Sequence, residues 1–447
     1  MFRRFLGGVH PPQNKKPQSE RSIIPVSPSS VLKVPLSQHI GAPSYPVVTV
    51  GDTVTVGQLI GEIPDGKLGA KVHSPVSGKV VSIEMLPHQS GGFSRSIVIE
   101  NDGLDTFSSE INRKGRDVSD MTPDEITEAV RNAGIVGMGG AGFPTAVKID
   151  SCHGKRINWC IANGCECEPY LCCDNRVMIE HTQKVLEGLL LLSRAVGAKK
   201  TAIAIENNKQ QAIKLMRKAV ADMNADILVC ELPTKYPQGG EKQLVYSVTK
   251  KHIPSGKLPA DVGAAVFNVS SCAAVYEACK YNMPLITSTV TVAGSCIRSP
   301  ENFEVRVGTP FSVLKEKCGG FCEEPKKIIS GGPMTGAAIS SLENTAVTKT
   351  TTGMITFTEA ETDMEYNGEC IRCGSCTRAC PMGLTPNSLA IYSANERVDM
   401  LRKLCITDCI ECGCCAYSCP AGVPLLALLR AGKSRVAIDN AEKKSKK

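Results

Sequence analysis

A chain of 447 residues, 42% of them apolar, has material for roughly two to four ordinary domains. Its net charge of +7 is modest, and its aromatics, at 4%, do not interleave with basic runs, which argues against a nucleic-acid partner. Apolar stretches such as Leu189–Leu192 fall far short of the about 18 residues a membrane span needs, and the start MFRRFLGGVHPP lacks the apolar core of a signal peptide. The chain is therefore expected in the cytoplasm, with no span of its own, meeting a membrane only through partner subunits.

Residues 1–30, rich in Pro, Ser and Lys, read as an extended N-terminal arm. Residues 31–105 alternate short β-branched runs with glycine turns (VVTVGDTVTVGQLIGEI, AKVHSPVSGKVVSIE, RSIVIEN), an all-β pattern. At residue 118 the pattern changes. Thr122-Pro123-Asp124-Glu125 predicts a helix start, with Thr122 as N-cap, proline at the first helical position and Glu125 closing a capping box. That helix stops at Gly134. Beyond it NWCIAN, TAIAIEN and DILVC read as strands, separated by the helices TQKVLEGLLLLSRAV and QQAIKLMRKAVADM. Strand–helix alternation of this kind implies an open α/β sheet with crossover helices, here over 118–283. Residues 284–335 return to short strands with a brief helix at PFSVLKEKC, residues 360–430 are helical and cysteine-rich, and 431–447 form a basic tail read as a solvated end.

The 22 cysteines are the most unusual feature of the composition. In a reducing compartment they point to metal or redox work rather than disulfides. Cys370, Cys373, Cys376 and Cys380 have the spacing C-x2-C-x2-C-x3-C-P, and Cys409, Cys412, Cys415 and Cys419 repeat it. Three thiolates two residues apart can face one iron–sulfur cube, while the fourth, past a short helical step, points to the other cube. Zinc would need only one set of four and is not usually spaced this way. The motif therefore predicts two [4Fe–4S] clusters that exchange their fourth ligands. Cys405 and Cys414 lie outside the count, and Cys152, Cys172, Cys173 and Cys230 read as buried small apolar residues or surface thiols.

Clusters pass electrons singly and need a donor. GIVGMGGAGFPTAVK, residues 134–148, places Gly137, Gly139, Gly140 and Gly142 after a helix end, where free N–H groups can cradle a phosphate. A tight loop alone would explain the glycines, but Phe143 and Pro144 make the pattern specific. GMGGAGFPT with Lys148 resembles the flavin loop of the FMN-bearing subunit of respiratory complex I. NGCECEPY (163–170), YPQGGEKQL (236–244) and FNVSSCAAV (267–275) fall where that family has three further cofactor loops. GGVHPP, PLSQHIGAP, GGPMTG and the paired cysteine motifs extend the likeness over nearly the whole chain, which resembles the RnfC family. Its members belong to Rnf complexes, membrane-bound ferredoxin:NAD oxidoreductases that pump Na⁺ or H⁺.

The resemblance implies a multidomain α/β protein: an N-terminal β barrel-sandwich hybrid of lipoyl type, a central Rossmann-like α/β flavin domain, a β-grasp (SLBB-like) domain and a C-terminal helical two-cluster ferredoxin domain. It implies non-covalent FMN lined by Gly137, Gly139, Gly140, Asn163, Glu166, Tyr236, Gly239, Glu241, Asn268 and Ser271. Phe143, Lys148 and Glu168 would meet NAD(H), by stacking, by holding a phosphate and by accepting from a hydroxyl or amide. The chain departs from the complex I relative at Cys165 and Gly240, where that family carries acids, and SGKLPAD lacks its aromatic nucleotide contact. Lys67 stands where a lipoyl domain carries its modified lysine, but the Asp-Lys-Ala or Met-Lys context is missing. The implied partners are other subunits of an Rnf-type complex, including an iron–sulfur subunit, at the cytoplasmic face of the membrane. A soluble relative feeding a substrate reductase such as proline reductase, and an electron-wire module without flavin, are the rival readings.

Overall fold

The computed structural model describes residues 4–362 and 368–445. The first three residues of the expected arm, 363–367 of the expected ferredoxin segment and the last two residues of the basic tail lie outside the described residues.

Leu32 and Val34 alternate with half-buried neighbours along the strand Val31–Pro35, the period-2 signature of a one-sided sheet. That strand pairs with Phe93–Asn101, which continues through Gly78–Pro87 to Thr53–Val54. A second sheet of Tyr45–Pro46, Leu59–Glu62 and Val72–His73 faces it, and Ile60, Val72, Val80, Ile97 and Ile99 fill the space between. Together the two sheets form a barrel-sandwich. Lys67 sits exposed in the turn between Leu59–Glu62 and Val72–His73.

Thr122 caps the helix Pro123–Asn132 with the reciprocal bonds of a capping box, as the sequence predicts. Behind it lies a four-stranded parallel sheet in the order 227–232, 200–206, 159–164, 264–268. The helices Thr182–Ala195 and Val269–Tyr281 bury one face of it, through Leu189, Leu192, Cys272 and Val275, and Glu241–Thr249 covers the other through Leu244 and Val245. In chain order the strands run 3-2-1-4. The direction of winding therefore reverses between the first strand, Trp159–Gly164, and the last, Ala264–Asn268, which makes this gap the sheet's topological switch point.

The next sheet reaches beyond the 284–335 expected for the β-grasp domain. Thr287–Gly294 pairs with Glu301–Arg306 on one side and Gly353–Phe357 on the other, and the arm adds Ile23–Pro25 as an edge strand parallel to Glu301–Arg306. The arm of 1–30 is thus partly a strand, and residues after 335 complete the sheet. A strand of three residues is too short to show a period in sequence.

The cysteine-rich end repeats one plan. Gly374 and Gly413 adopt left-handed φ values of 75° and 76°, each before a short helix, Ser375–Ala379 and Cys414–Tyr417. Longer helices, Pro386–Ala394 and Leu425–Ser445, follow each motif, and Leu389, Leu401, Ile406 and Leu429 form the core between them. Among the described residues no helix is long and apolar enough to cross a membrane.

Side chains lock these units together. The buried Lys349 ammonium donates to the carbonyls of Lys71 (2.6 Å) and Gly134 (2.8 Å), joining the barrel to the end of the capped helix. Gln89, at a hairpin tip of the barrel, accepts from Ser330 at 2.8 Å.

Candidate functional site

A cleft of about 1080 Å³ opens at the switch point. Ligands in open α/β sheets bind at such points, beyond the carboxyl ends of the strands. Asn163 and Asn268 are register partners there, at the ends of adjacent parallel strands. Neither amide is idle. Asn163 Nδ2 donates to the Gly239 carbonyl at 2.9 Å and fixes the loop of residues 236–244, the second loop of the cleft. Asn268 caps the helix Val269–Tyr281 through its Oδ1, and its Nδ2 donates to Asp174 at 2.7 Å.

The glycine loop closes on itself. Gly137 N–H donates to the Phe143 carbonyl at 2.9 Å, and Thr145 N–H donates to Ile135 at 2.9 Å. Gly139, Gly140 and Ala141 stay exposed, and open space surrounds the position a side chain would take at Gly140. The loop thus presents its bare backbone to the cleft. Of the thirteen residues expected at FMN and NAD(H), Ser271 alone does not line it. Its hydroxyl lies underneath, accepting from Met138 N–H and donating to Val136, both at 3.0 Å. Ser271 shapes the loop from below.

The acidic residues of the cleft are engaged by the protein's own groups. Glu166 turns its carboxylate to the N-terminus of the helix Cys173–Glu180, accepting from the N–H groups of Asp174 (2.7 Å) and Asn175 (3.3 Å), where the helix dipole favours negative charge. Glu168, expected to meet the nucleotide, accepts from Met334 N–H at 3.0 Å and from the Thr335 hydroxyl at 2.5 Å. Burial holds its pKa above the ordinary carboxylate range. It anchors the GGPMTG loop to the cleft wall. Lys148 donates to Glu241 (2.9 Å) and to the Val266 carbonyl (2.9 Å), so the expected phosphate-holding lysine and an expected flavin contact form one half-exposed ion pair. Phe143 lines the same mouth, half-buried.

The sequence pattern did not single out Asp174. It accepts from Asn268 and from the Ser270 hydroxyl, both at 2.7 Å, and burial, then the neighbouring Glu166, pushes its pKa up to about 7. His39 and His88 of the barrel, and Ser330 and Thr335 beside the β-grasp sheet, also wall the cleft. PLSQHIGAP and GGPMTG signal two of these walls; the hairpin carrying His88 has no sequence signature.

A fourth wall comes from the second cysteine motif, through Ile410, Glu411 and Cys412. Tyr236, buried in the second loop, donates its hydroxyl to the Cys412 carbonyl at 2.8 Å, and Gly239 lies beside it in the cleft. The eight motif cysteines gather in two groups. Cys370, Cys373, Cys376 and Cys419 line one small cavity. Cys380 lies instead with the other three: burial, then the surrounding thiols with Cys380 among them, raises Cys409 and pushes Cys415 up to about 12. Among the described residues no three His, Cys, Asp or Glu side chains converge closely enough to hold a single metal ion. A cube does not ask for that, because each thiolate binds its own iron. Two all-cysteine sets of four suit two cubes. Cys414 is buried and Cys405 exposed.

Three family models match along the chain: the RnfC barrel sandwich hybrid domain over residues 3–104, the Nuo51 FMN-binding domain over 130–277 and the SLBB domain over 289–338. The C subunit of the Na(+)-translocating ferredoxin:NAD(+) oxidoreductase complex of Acetobacterium woodii is 42% identical over 395 residues, covering 88% of each chain. The chain belongs to the RnfC family of ion-translocating ferredoxin:NAD oxidoreductase subunits. Its counterpart in the proton-translocating complex of Clostridium ljungdahlii is 43% identical over 89% of this chain and 86% of its own. The counterpart in the ion-translocating oxidoreductase complex of Pseudomonas aeruginosa is 38% identical over 97% of this chain but only 55% of its own length, so some members of the family carry long additional segments. Among solved structures, an NAD+-reducing [NiFe]-hydrogenase in the H2-reduced state matches with a TM-score of 0.50 and 18% identity, over 70% of this chain and 62% of the other; at that identity the likeness is one of fold.

Proposed function

We propose that this chain is the peripheral subunit at which electrons pass between NAD(H) and the rest of a membrane-bound ferredoxin:NAD oxidoreductase complex, whose partner subunits couple the flow to Na⁺ or H⁺ translocation. The observation that carries the reading is the single cleft in which the bare glycine loop, the switch-point asparagines and Cys412 meet. FMN, when bound, exchanges a hydride with the nicotinamide and electrons singly with the clusters; this chemistry belongs to the cofactors.

The chain's own residues hold and orient. Gly139–Gly142 offers N–H groups for a phosphate, supported by Ser271 from below. Asn163 and Asn268 fix the cleft floor, with Glu166 and Asp174 bracing the helix behind it. Lys148, at the mouth, can turn from Glu241 to a nucleotide phosphate, and Phe143 supplies an apolar face for an aromatic ring. Glu168 keeps the 331–336 loop over the nucleotide side. The set completed by Cys380 lies beside the cleft, and the set completed by Cys419 carries the exposed Cys370 and Cys373. The first is suited to exchange with flavin, and the second to exchange with a partner subunit at the cytoplasmic face of the membrane.

The test is anaerobic reconstitution of the full chain. The expected result is one FMN per chain and NADH oxidation with an artificial acceptor, both lost in Gly139→Val. A Cβ at Gly139 would already stand 3.2 Å from Asn268 Nδ2, so a branched side chain must turn into the cleft. Full flavin occupancy in that variant would mean the cofactor sits elsewhere.

A further inference from the structure

Residues 4–25 cross three domains, and two short stretches of them stand at the electron path. Gly8 N–H donates to the Ala379 carbonyl at 2.8 Å, and Val9 exchanges two backbone bonds with Tyr236 at 2.9 and 3.0 Å. A side chain at Gly7 or Gly8 would push this crossing apart. A Cβ at Gly8 would lie 2.5 Å from the Tyr236 carbonyl, and one at Gly7 would overlap the Cys380 carbonyl. One step of the arm therefore touches both Tyr236, whose hydroxyl reaches Cys412, and the residues that carry Cys380. Further along, Lys15 lies half-buried beneath the cleft, where its ammonium donates to the carbonyls of Glu166 and Leu171, each at 2.7 Å, with the Glu166 carboxylate 4.0 Å away. Burial opposes its charge, yet Glu166, Cys172 and Glu206 raise its pKa overall, so the cation is retained. Arm and cleft floor are thus joined by this charge, and arm and cysteine motif by backbone.

We propose that the N-terminal arm is a positioning clamp for electron transfer: Gly7–Val9 sets the gap between the cleft and the cluster held by Cys380, Cys409, Cys412 and Cys415, while Lys15 holds the floor from below. The inference rests on the flavin-to-cluster order of the proposed function. In each transfer the reduced flavin is oxidised by one electron and the cluster is reduced by it, with NADH supplying the electron pair. Transfer of this kind falls steeply with distance, whereas hydride delivery at the far mouth does not depend on the gap. Neither anchor of the arm lines the nucleotide side of the cleft.

The experiment compares the reconstituted full chain with Gly8→Ala and Lys15→Met. Gly8→Ala is expected to keep its FMN and both cluster EPR signals after dithionite reduction, and to reduce flavin with NADH at the wild-type rate in stopped flow. Its clusters should fill at least tenfold more slowly in freeze-quenched samples. Lys15→Met is expected to speed hydrogen exchange of amides 163–175 before any NADH is added. Clusters that fill at the wild-type rate in Gly8→Ala, or unchanged exchange in Lys15→Met, would overturn the clamp. Loss of FMN and clusters together in Gly8→Ala would also overturn it, because the arm would then serve the fold alone. A wild-type chain that binds no FMN, or whose flavin NADH does not reduce, would fail at an earlier step and remove the functional reading along with the clamp.

Discussion

The Tyr236 hydroxyl donates to the Cys412 carbonyl at 2.8 Å, so the second loop of the cleft and the second cysteine motif share a buried hydrogen bond. Burial keeps the phenol protonated, its pKa raised far above the ordinary tyrosine value, and the bond is therefore present at any working pH. Tyr236→Phe leaves that carbonyl unpaired at a cost of about 1 kcal/mol. The expected outcome is retained FMN, a lower unfolding temperature and an altered EPR line shape for the neighbouring cluster alone. Unchanged spectra of both clusters would mean that the bond does not sense the cluster.

Glu168 accepts two hydrogen bonds from the 334–335 segment, and a glutamine in its place keeps one acceptor for Met334 N–H but loses the charged acceptor that takes the Thr335 hydroxyl. Glu168→Gln is expected to cost on the order of 1–3 kcal/mol in the ordering of the 331–336 loop. NADH oxidation should then fall more than FMN content. Equal loss of the two would place Glu168 in the flavin site or in the fold.

Asp174 gives the cleft floor a dependence on pH. Burial, then the neighbouring Glu166, pushes its carboxyl up to about 7 in the folded chain, against an ordinary 3.8, with the hydrogen bonds from Ser270 and Asn268 and the Lys209 cation opposing the shift. Between these two values the native state binds more protons than the unfolded chain, so stability falls as pH rises across the window. A displacement of that size sets an upper bound of about 4 kcal/mol. Asp174→Asn keeps an acceptor for Asn268 and Ser270 without the charge. Melting of the cofactor-free chain at pH 5 and pH 7.5 should show a marked drop for the wild type and a smaller one for the variant. Equal drops would assign the effect to other buried acids, such as Glu206.

The two groups of thiols lead to opposite outcomes for the two fourth cysteines. Cys380→Ala should spare the 370-side cluster and degrade the 409-side cluster in EPR of the reduced protein. Cys419→Ala should do the reverse. Damage confined to each cysteine's own motif would show that the ligands do not cross.

Where chemistry is local, the sequence was enough to read it. The cysteine spacing is set by the size of one cube, and the capping box at Thr122 by one helical turn, so both are legible from a few residues. The parallel sheet followed from strand–helix alternation, and the glycine loop from the crowding it avoids. What stayed hidden depends on distant pairing. The sequence does not show that Thr335 folds against Glu168, or that Glu241 of a different helix pairs with Lys148. Asp174 has neighbours from two separate strand ends, and no local pattern marks it. The edge strand Ile23–Pro25 is recognisable only through its partner, Glu301–Arg306.

During synthesis the arm leaves the ribosome well before the segments it grips: Glu166–Leu171, then Tyr236, then Glu301–Arg306, then Ala379. The barrel and the parallel sheet can close as units in their order of emergence. The leading segment has no complete seat until the first cysteine motif is out. It therefore settles fully only once that motif has emerged. Susceptibility of this leading segment to a protease during translation would mark unfinished chains, and its disappearance would time the moment at which the molecule closes.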